Sequence, residues 1–338
     1  MHDLWRKLYS SADRINALAP WRWLDDRELL GVQDPVTGEI GFMHVLGQAG
    51  EHFGISRYPG EEGLGVLKSL QEGDIDDPSH GADILINSHQ MQLSWEDSRE
   101  LDRRDKLRIK ELGLKYRGAK AWPQFRSYEP SLYPWYLTEK QAATFLTALD
   151  QCIDVFERRQ NDPSLFDGLE QDHYLVRVLS DGAWRDEVKK VLPSLAKVSV
   201  VSKIPSLTLL KALPGGKGRI EIDLIRAPAV GGDGPNDRPY FPHILMMVDG
   251  ISGIVLPGFE LLQPFPSLNN MYGRVAEHVC SWLLQAKMVP AEIRVRKKLM
   301  EGILSPLADE LGIRITLHKH LPRFDAASSD LMSFFRTR

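Results

Sequence analysis

The sequence has few cysteines, no long apolar runs and none of the short motifs that mark common enzymes. Its 338 residues include 2 cysteines, Cys152 and Cys280, which lie far apart, each inside a helical pattern. This scarcity argues against a disulfide framework and a zinc site of paired cysteines, and predicts two buried thiols. No segment approaches the roughly 18 to 20 apolar residues of a membrane-spanning helix. We therefore expect a cytoplasmic protein without membrane association.

Absent motifs narrow the function further. The chain has no G-x-S-x-G, H-E-x-x-H or G-x-G-x-x-G pattern, so hydrolase, metalloprotease and dinucleotide-binding functions have no support. The glycines of Pro214 to Gly218 lack the spacing of a phosphate-binding loop and predict a turn. A formal net charge of -4 argues against a general affinity for nucleic acid. No cofactor and no metal are predicted.

The length predicts two domains, because 338 residues exceed one ordinary hydrophobic core. Apolar periodicity changes between strand and helix along the whole chain, which is typical of a mixed α/β fold with two small mixed sheets. Turn-rich segments suggest an N-terminal domain over 1–160, a connecting part over 161–239 that belongs with the second domain, and a C-terminal domain over 240–338.

Particular segments give particular expectations. "GLKYR", residues 113–117, predicts a strand, and Thr138 with Gln141 has the form of a capping box that starts a long helix. Beyond the first domain, "YLVRVLS" predicts a strand, "WRDEVKKVL" a helix, and "KVSVVS" and "RIEIDLI" two more strands.

One pattern occurs twice. "GVQDPVTGEI" and "MMVDGISGIV" share an apolar strand, Asp, two residues, Thr or Ser, Gly and a returning strand. Gly113 and Gly312 each follow a charged helix and precede an apolar run, a left-handed position that glycine takes most easily. The pattern favours a duplicated α/β unit about as much as chance similarity. Its element order is that of the ribonuclease H-like fold.

A ribonuclease H-like fold would hold divalent metals on carboxylates, because phosphodiester cleavage uses cations that bridge the attacking and leaving oxygens. The alternative catalytic carboxylates are Asp34, Glu62 and Asp97 in the first half and Asp249 in the second. However, Arg294 and Arg296 lie in the second half where a metal site needs negative groups. Asp34 precedes Pro35 in a turn, where Asp is favoured for capping its own backbone. We therefore predict that Asp34 is a turn residue.

Three stretches identify a family: "RELLGVQDPVTGEIGF", "LGLKYRGAKAWPQFRSYEPSLYPWYLT" and "PAEIRVRKKLMEGILSPLADELGIRITLHKHLPRFD". Through them the chain resembles a bacterial family of uncharacterised two-domain proteins, domains of unknown function, over most of its length. The resemblance implies two domains and a bacterial cytoplasmic origin. That family has no established activity, so the resemblance implies no catalytic residue.

Aromatic and cationic residues crowd into one segment, which is typical of a binding surface. Its three prolines make the segment stiff, so little entropy is lost on binding. The alternative is an aromatic-rich loop folded over the core, with its arginines paired to nearby acids. The binding candidates are Arg117, Trp122, Phe125, Arg126, Tyr128, Trp135 and Tyr136.

His318 and His320 lie two apart on a predicted strand, a spacing that can offer two metal ligands, although no neighbouring motif completes the set. Surface histidines at a strand end are the simpler interpretation. The sequence thus favours a non-catalytic binding or regulatory module, with a protein partner slightly favoured over nucleic acid. The alternatives are a divalent-metal-dependent nuclease of ribonuclease H-like fold and a structural protein-interaction module.

Overall fold

The computed structural model describes residues 2–50, 52–72, 84, 87–194, 207–216, 218–232 and 237–336. The chain forms two compact units, each with its own mixed sheet, and is a mixed α/β protein as predicted. Unit 1 comprises Met1–Pro130 and Pro134–Ala196, and unit 2 comprises Ser131–Tyr133 and Lys197–Arg338.

Unit 1 is built on a seven-stranded sheet of order β5-β4-β3-β2-β1-β6-β7. All neighbouring strands are antiparallel except β1 and β6, which are parallel. The helices are α1 His2–Leu18, α2 Gly60–Glu72, α3 Arg103–Glu111 and α4 Glu139–Asn161, with a 3-10 turn at Pro20–Arg22. The strands are β1 Leu30–Gln33, β2 Ile40–Leu46, β3 Gly54–Pro59, β4 Gln90–Glu96, β5 Trp122–Tyr128, β6 His173–Ser180 and β7 Ala183–Lys190.

The sheet of unit 1 is covered on both faces. On one face α1 and α4 bury a large core that includes Leu8, Met43 and Phe145, and on the other α2 buries Phe42 and Tyr58. Burial on both faces explains why strand β3 reads as an almost unbroken buried run. The predicted capping box at Thr138 is confirmed at the start of α4.

Two predicted elements of unit 1 are wrong. "WRDEVKKVL" forms strand β7, because Asp181 and Gly182 both have positive φ and make a two-residue turn that folds this strand back on β6. Residues 114–117 of "GLKYR" form no strand, and the strand forms later as β5. "KVSVVS" lies outside the described residues.

The division between the units also differs from the one expected. Strand β6 pairs with β1, and β7 pairs with β6, so residues 173–190 belong to the first sheet. Parallel pairing joins segments distant in sequence, which a search for turn-rich linkers does not detect. The units divide between Ala196 and Lys197.

Unit 2 is built on a five-stranded sheet of order β10-β9-β8-β11-β12. Strands β8, β9 and β10 form an antiparallel meander, and β11 and β12 extend it in parallel from β8. The strands are β8 Arg219–Arg226, β9 His243–Asp249, β10 Val255–Leu262, β11 Glu292–Val295 and β12 Arg314–Leu317. The helices are α5 Leu207–Lys211, α6 Leu268–Ala286, α7 Lys298–Leu311 and α8 Pro322–Arg336.

The two faces of the second sheet differ in chemistry. Helices α6 and α7 cover one face with an apolar core around Ile222 and Met247. Helix α8 packs on the other face through Phe324 against Met246 and Val248.

Both cysteines are buried and free, as predicted. Within the described parts of the chain, no helix is long and apolar enough to cross a membrane.

The predicted duplication is wrong at the level of the fold, because the two sheets have different strand orders. The repeated turn itself is real. In each copy the glycine, Gly38 or Gly253, has positive φ and donates its amide to the carbonyl of Asp34 or Asp249. The first turn joins β1 to β2 and the second joins β9 to β10, so the two sequences share a local turn and not a domain.

Candidate functional site

The predicted aromatic segment becomes an edge strand and the chain that folds back on it. Ser127 and Trp135 exchange backbone hydrogen bonds of 2.7 and 2.9 Å. Phe125 lies in the core, edge-to-face with Tyr9 at 5.2 Å between ring centroids. Four other aromatic candidates are half-buried: Trp122, Tyr128, Trp135 and Tyr136. Arg117 is exposed.

Arg126 has a structural role in this segment. Its guanidinium is buried and donates to both carboxylate oxygens of Asp105, at 3.0 and 2.5 Å, and to Asp102 at 3.1 Å. Tyr136 donates a short hydrogen bond to the same Asp102 carboxylate. Such a bidentate, largely desolvated pair fixes β5 to the start of α3 and engages both terminal nitrogens of the arginine within the protein.

One accessible part of the segment forms a small stack with Arg104 of α3. The exposed Arg104 lies over the ring of Tyr136 at 4.1 Å and near that of Trp135 at 5.8 Å. A stacked arginine beside two half-buried rings is a surface that a protein partner can contact.

Asp34 has the geometry of a turn residue. Its Oδ1 atom accepts the amides of Val36 and Thr37 at 2.8 and 3.0 Å, and its Oδ2 atom accepts the hydroxyl of Thr144 at 2.9 Å. Burial opposes its charge, but these hydrogen bonds outweigh burial and hold the pKa of Asp34 below its ordinary value. Asp249 caps the second turn in the same way, through the amides of Ile251 and Ser252.

The alternative catalytic carboxylates of unit 1 do not meet. Asp34 and Glu62 follow β1 and β3, which end at one end of the sheet, whereas Asp97 follows β4 at the other. Strand β4 is 7 residues long, so roughly 20 Å separates the two ends. Over the described residues, no three His, Cys, Asp or Glu side chains are placed to hold a metal ion.

A different site lies in unit 2, where the chain diverges from two parallel neighbours. Strand β8 continues to β9 on one side, while β11 continues through α7 to β12 on the other. Divergence of this kind leaves a crevice outside the carboxyl ends of the strands, and ligands of open α/β sheets bind there. We call this place the switch point.

The buried carboxyl of Asp223 lies beside the end of β11, next to the switch point. Arg294 lies opposite Glu221 in the register, and two residues further along the same face Asp223 meets Arg296, with 3.6 Å between Oδ2 and Nε. Asp223 is fully buried, and neither of these two atoms has a hydrogen-bond partner in the described part of the chain. Burial raises the pKa of Asp223, although Lys297 and Arg296 attract its charged form.

Arg296 is held from a second side by Asp325 of α8, through a short charge-assisted contact. The next two residues, Lys297 and Lys298, begin α7, and the N-cap residue Lys297 provides no side-chain cap for the first-turn amides. The positive end of a helix therefore coincides with three consecutive cationic residues at the carboxyl end of β11.

The charge of the chain is divided unequally between the units. Residues 197–338 carry 18 Lys and Arg against 13 Asp and Glu, a formal charge of +5, whereas residues 1–196 carry 24 against 33, a charge of -9. The net charge of the whole chain conceals this division. The positive net charge of residues 197–338 is the sequence feature that distinguishes unit 2.

The two candidate histidines have different surroundings. His318 lies within 3.0 Å of the hydroxyl of Thr316, which also donates to Glu292 at 2.9 Å, while His320 is exposed. The pair therefore closes no metal site with described residues.

Comparison with known proteins assigns the chain to families without assigning a chemistry. A model described as Domain of unknown function (DUF6930) matches residues 206–332, within unit 2. A second model matches residues 5–177, within the sequence range of unit 1, so the two matches agree with the expected two-domain protein. No curated protein matches the chain. Because the second model covers slightly more than half of the chain, the protein belongs to the family described as Domain of unknown function (DUF7309).

Proposed function

We propose that unit 2 is a non-catalytic module that binds a phosphorylated ligand, a nucleotide or nucleic acid, at the switch point. One observation carries this proposal. The first turn of α7 lacks a side-chain cap and follows Arg296 and Lys297 beside the buried oxygen of Asp223. A phosphate accepts from such amides and cations, because helix N-termini are ready-made anion sites.

Asp223 supports the choice of ligand. Its Oδ2 atom is a buried acceptor without a donor among the described residues, and a ligand hydroxyl would satisfy it. A phosphate and a hydroxyl on one small scaffold are the chemistry of a sugar phosphate, hence of a nucleotide. The formal charge of +5 on residues 197–338 favours the same class of ligand electrostatically.

Arg296 supports binding without cleavage. We propose a ribonuclease H-like arrangement for unit 2, because a three-stranded antiparallel meander is extended by two parallel strands with a helix between them. A nuclease of that kind needs divalent cations held by carboxylates. Here the guanidinium of Arg296 already lies between Asp223 and Asp325. The protein's own cation thus occupies the space between these two carboxylates.

Titration calorimetry with the full chain tests the proposal. The probes are inorganic phosphate, ribose 5-phosphate, a nucleoside diphosphate and a short single-stranded RNA. We expect Lys298→Gln to weaken binding of phosphorylated probes about tenfold, since about 1.4 kcal/mol corresponds to a factor of ten. The control Lys287→Gln removes an exposed lysine at the opposite end of β11 and should leave affinity unchanged. Equal affinity in both variants, or no binding at all, would contradict the proposal.

The nuclease alternative has its own outcome. Incubation of the same RNA with Mg²⁺ or Mn²⁺ should give no cleavage. Metal-dependent cleavage that disappears in Asp223→Asn would show that unit 2 is a nuclease and not a non-catalytic binding module.

A protein partner is the second candidate, because the half-exposed stack of Arg104, Trp135 and Tyr136 suits one. Trp135→Ala would then abolish association with that partner without changing nucleotide affinity. The two free cysteines agree with a reducing compartment, and we propose the cytoplasm as the location.

A further inference from the structure

Unit 1 contains a cleft of about 990 Å³. It lies between the starts of the parallel strands β1 and β6, helix α2 and the end of α4, and its lining includes Trp23, Lys68, Arg159, Phe166 and Tyr174. Its volume is within the range of small-molecule sites, roughly 300 to 1,000 Å³. Nothing in the function proposed for unit 2 uses it.

The walls of the cleft are fixed before any ligand arrives. Arg159 donates to the largely buried carboxylate of Glu28 at 2.9 and 2.8 Å, and the other oxygen of Glu28 accepts the amide of Asp25 at 2.8 Å. At Gly65, a Cβ atom would lie 1.9 Å from the carbonyl oxygen of Ser194, so only glycine permits this approach of the chain. A preformed cleft loses little conformational freedom when it binds.

Lys68 supplies positive charge to the cleft without a carboxylate partner. It is half-buried, and no acid of the described residues lies within ion-pair distance of its Nζ atom. The ammonium lies 5.9 Å from the centroid of the Tyr174 ring. Tyr174 is 7% exposed, and its buried hydroxyl has no hydrogen-bond partner in the described part of the chain. A cation without a carboxylate partner among the described residues, beside a tyrosine whose hydroxyl has no described partner, favours an anionic group.

The opposite charge also lines the cleft. The loop before β6 contributes Asp167, Glu170 and Asp172. Asp167 and Asp172 form no ion pair with a described residue, and Glu170 has only the 3.9 Å approach of His173. A dianion would be repelled by this loop, whereas a molecule with one negative and one positive end satisfies both regions.

We infer that the cleft of unit 1 binds a small zwitterion, an amino acid or a short peptide. Lys68 takes the carboxylate, and the acids of the 167–172 loop take the ammonium group. The apolar side chains of Trp23, Phe166 and Leu169 line the same cleft and receive the side chain of the ligand. This inference is independent of the function proposed for unit 2.

Matched probes test the inference by calorimetry with the full chain. Phenylalanine carries both charges, phenylpropanoate only the negative one and phenethylamine only the positive one, all on the same ring. Phe-Phe extends the zwitterion to a dipeptide. We expect at least one zwitterion to bind ten times more tightly than either single-charge probe. Equal binding of the amine or of the acid alone, or no binding by any probe, overturns the inference.

Variants locate the site. Lys68→Gln should weaken binding of the zwitterion tenfold and leave the affinity for phenethylamine unchanged. Asp172→Asn should also weaken binding of the zwitterion and leave the affinity for phenylpropanoate unchanged. The control Lys106→Gln removes an exposed lysine of α3 outside the cleft lining and should leave all affinities unchanged. Loss of zwitterion binding in the control, or its full retention in Lys68→Gln, overturns the assignment of Lys68.

Discussion

The Oδ2 atom of Asp223, within β8, lies 3.6 Å from the Nε atom of Arg296, which directly follows the parallel strand β11. This pair is too long for a hydrogen bond, and neither atom has another partner in the described part of the chain. Burying unpartnered polar atoms costs stability. Such a cost is typical of sites that a ligand completes.

The buried carboxyl should make stability depend on pH in a defined direction. Burial raises the pKa of Asp223 in the folded state, so between the unfolded and folded pKa values the folded state binds more protons. Its contribution to stability therefore falls as the pH rises through the folded pKa. We expect Asp223→Asn to gain stability relative to the wild type between about pH 3.5 and pH 7. Urea titrations at both pH values measure this, and a constant difference would contradict it.

His44 should give the opposite slope. Burial lowers its pKa to about 4, and its Nδ1 atom has no hydrogen-bond partner among the described residues. The unfolded state therefore binds the extra proton between about pH 6.5 and pH 4, and stability is lost as the pH falls. We expect His44→Gln to reduce this loss by roughly 2 to 3 kcal/mol. Identical acid slopes in the variant and the wild type would show that His44 does not titrate in this way.

Arg126 and Arg104 should behave differently although both lie among aromatic side chains. Arg126→Ala leaves the buried carboxylate of Asp105 unpaired and should cost about 3 to 5 kcal/mol. Arg104→Ala removes only an exposed stacking contact and should cost about 0.5 to 1 kcal/mol. The midpoints of urea denaturation, compared at an unchanged m-value, distinguish the two variants. A small effect at Arg126 would return it to the set of partner-binding residues.

Two helical glycines provide a matched test of the cleft wall. Gly65→Ala places a methyl group 1.9 Å from the Ser194 carbonyl and should lower the melting temperature. Gly273→Ala meets nothing within 4 Å in helix α6 and should stabilise by up to about 1 kcal/mol. Equal melting of Gly65→Ala and the wild type would mean that Ser194 does not approach α2.

Local patterns in the sequence predicted most of the elements. The capping box at Thr138 and the strand pattern of "RIEIDLI" each lie within a few residues of the structure they specify. Strand β7 was missed because its charged, exposed residues imitate a helix face. The Asp181-Gly182 turn was the stronger indication.

The candidate site of unit 2 could not be predicted from a local sequence pattern. Asp223 and Arg296 are far apart in sequence and meet only because β8 and β11 pair in parallel. No motif spans that distance, and the aromatic segment instead drew attention to Arg126, whose partners Asp102 and Asp105 precede it on α3. Charge counted by domain would have favoured unit 2, although not these particular residues.

Backbone amide NMR of the full chain during titration with a nucleoside diphosphate tests the central claim most directly. The account predicts that the largest shifts occur at the amides of Lys298, Leu299 and Met300, which begin α7, together with that of Leu224 beside Asp223. The ligand concentration that gives half of these shifts should rise about tenfold in Lys298→Gln and stay unchanged in Lys287→Gln. Saturating ligand that leaves these amides unmoved, or moves only amides of unit 1, would contradict a phosphate site at the switch point.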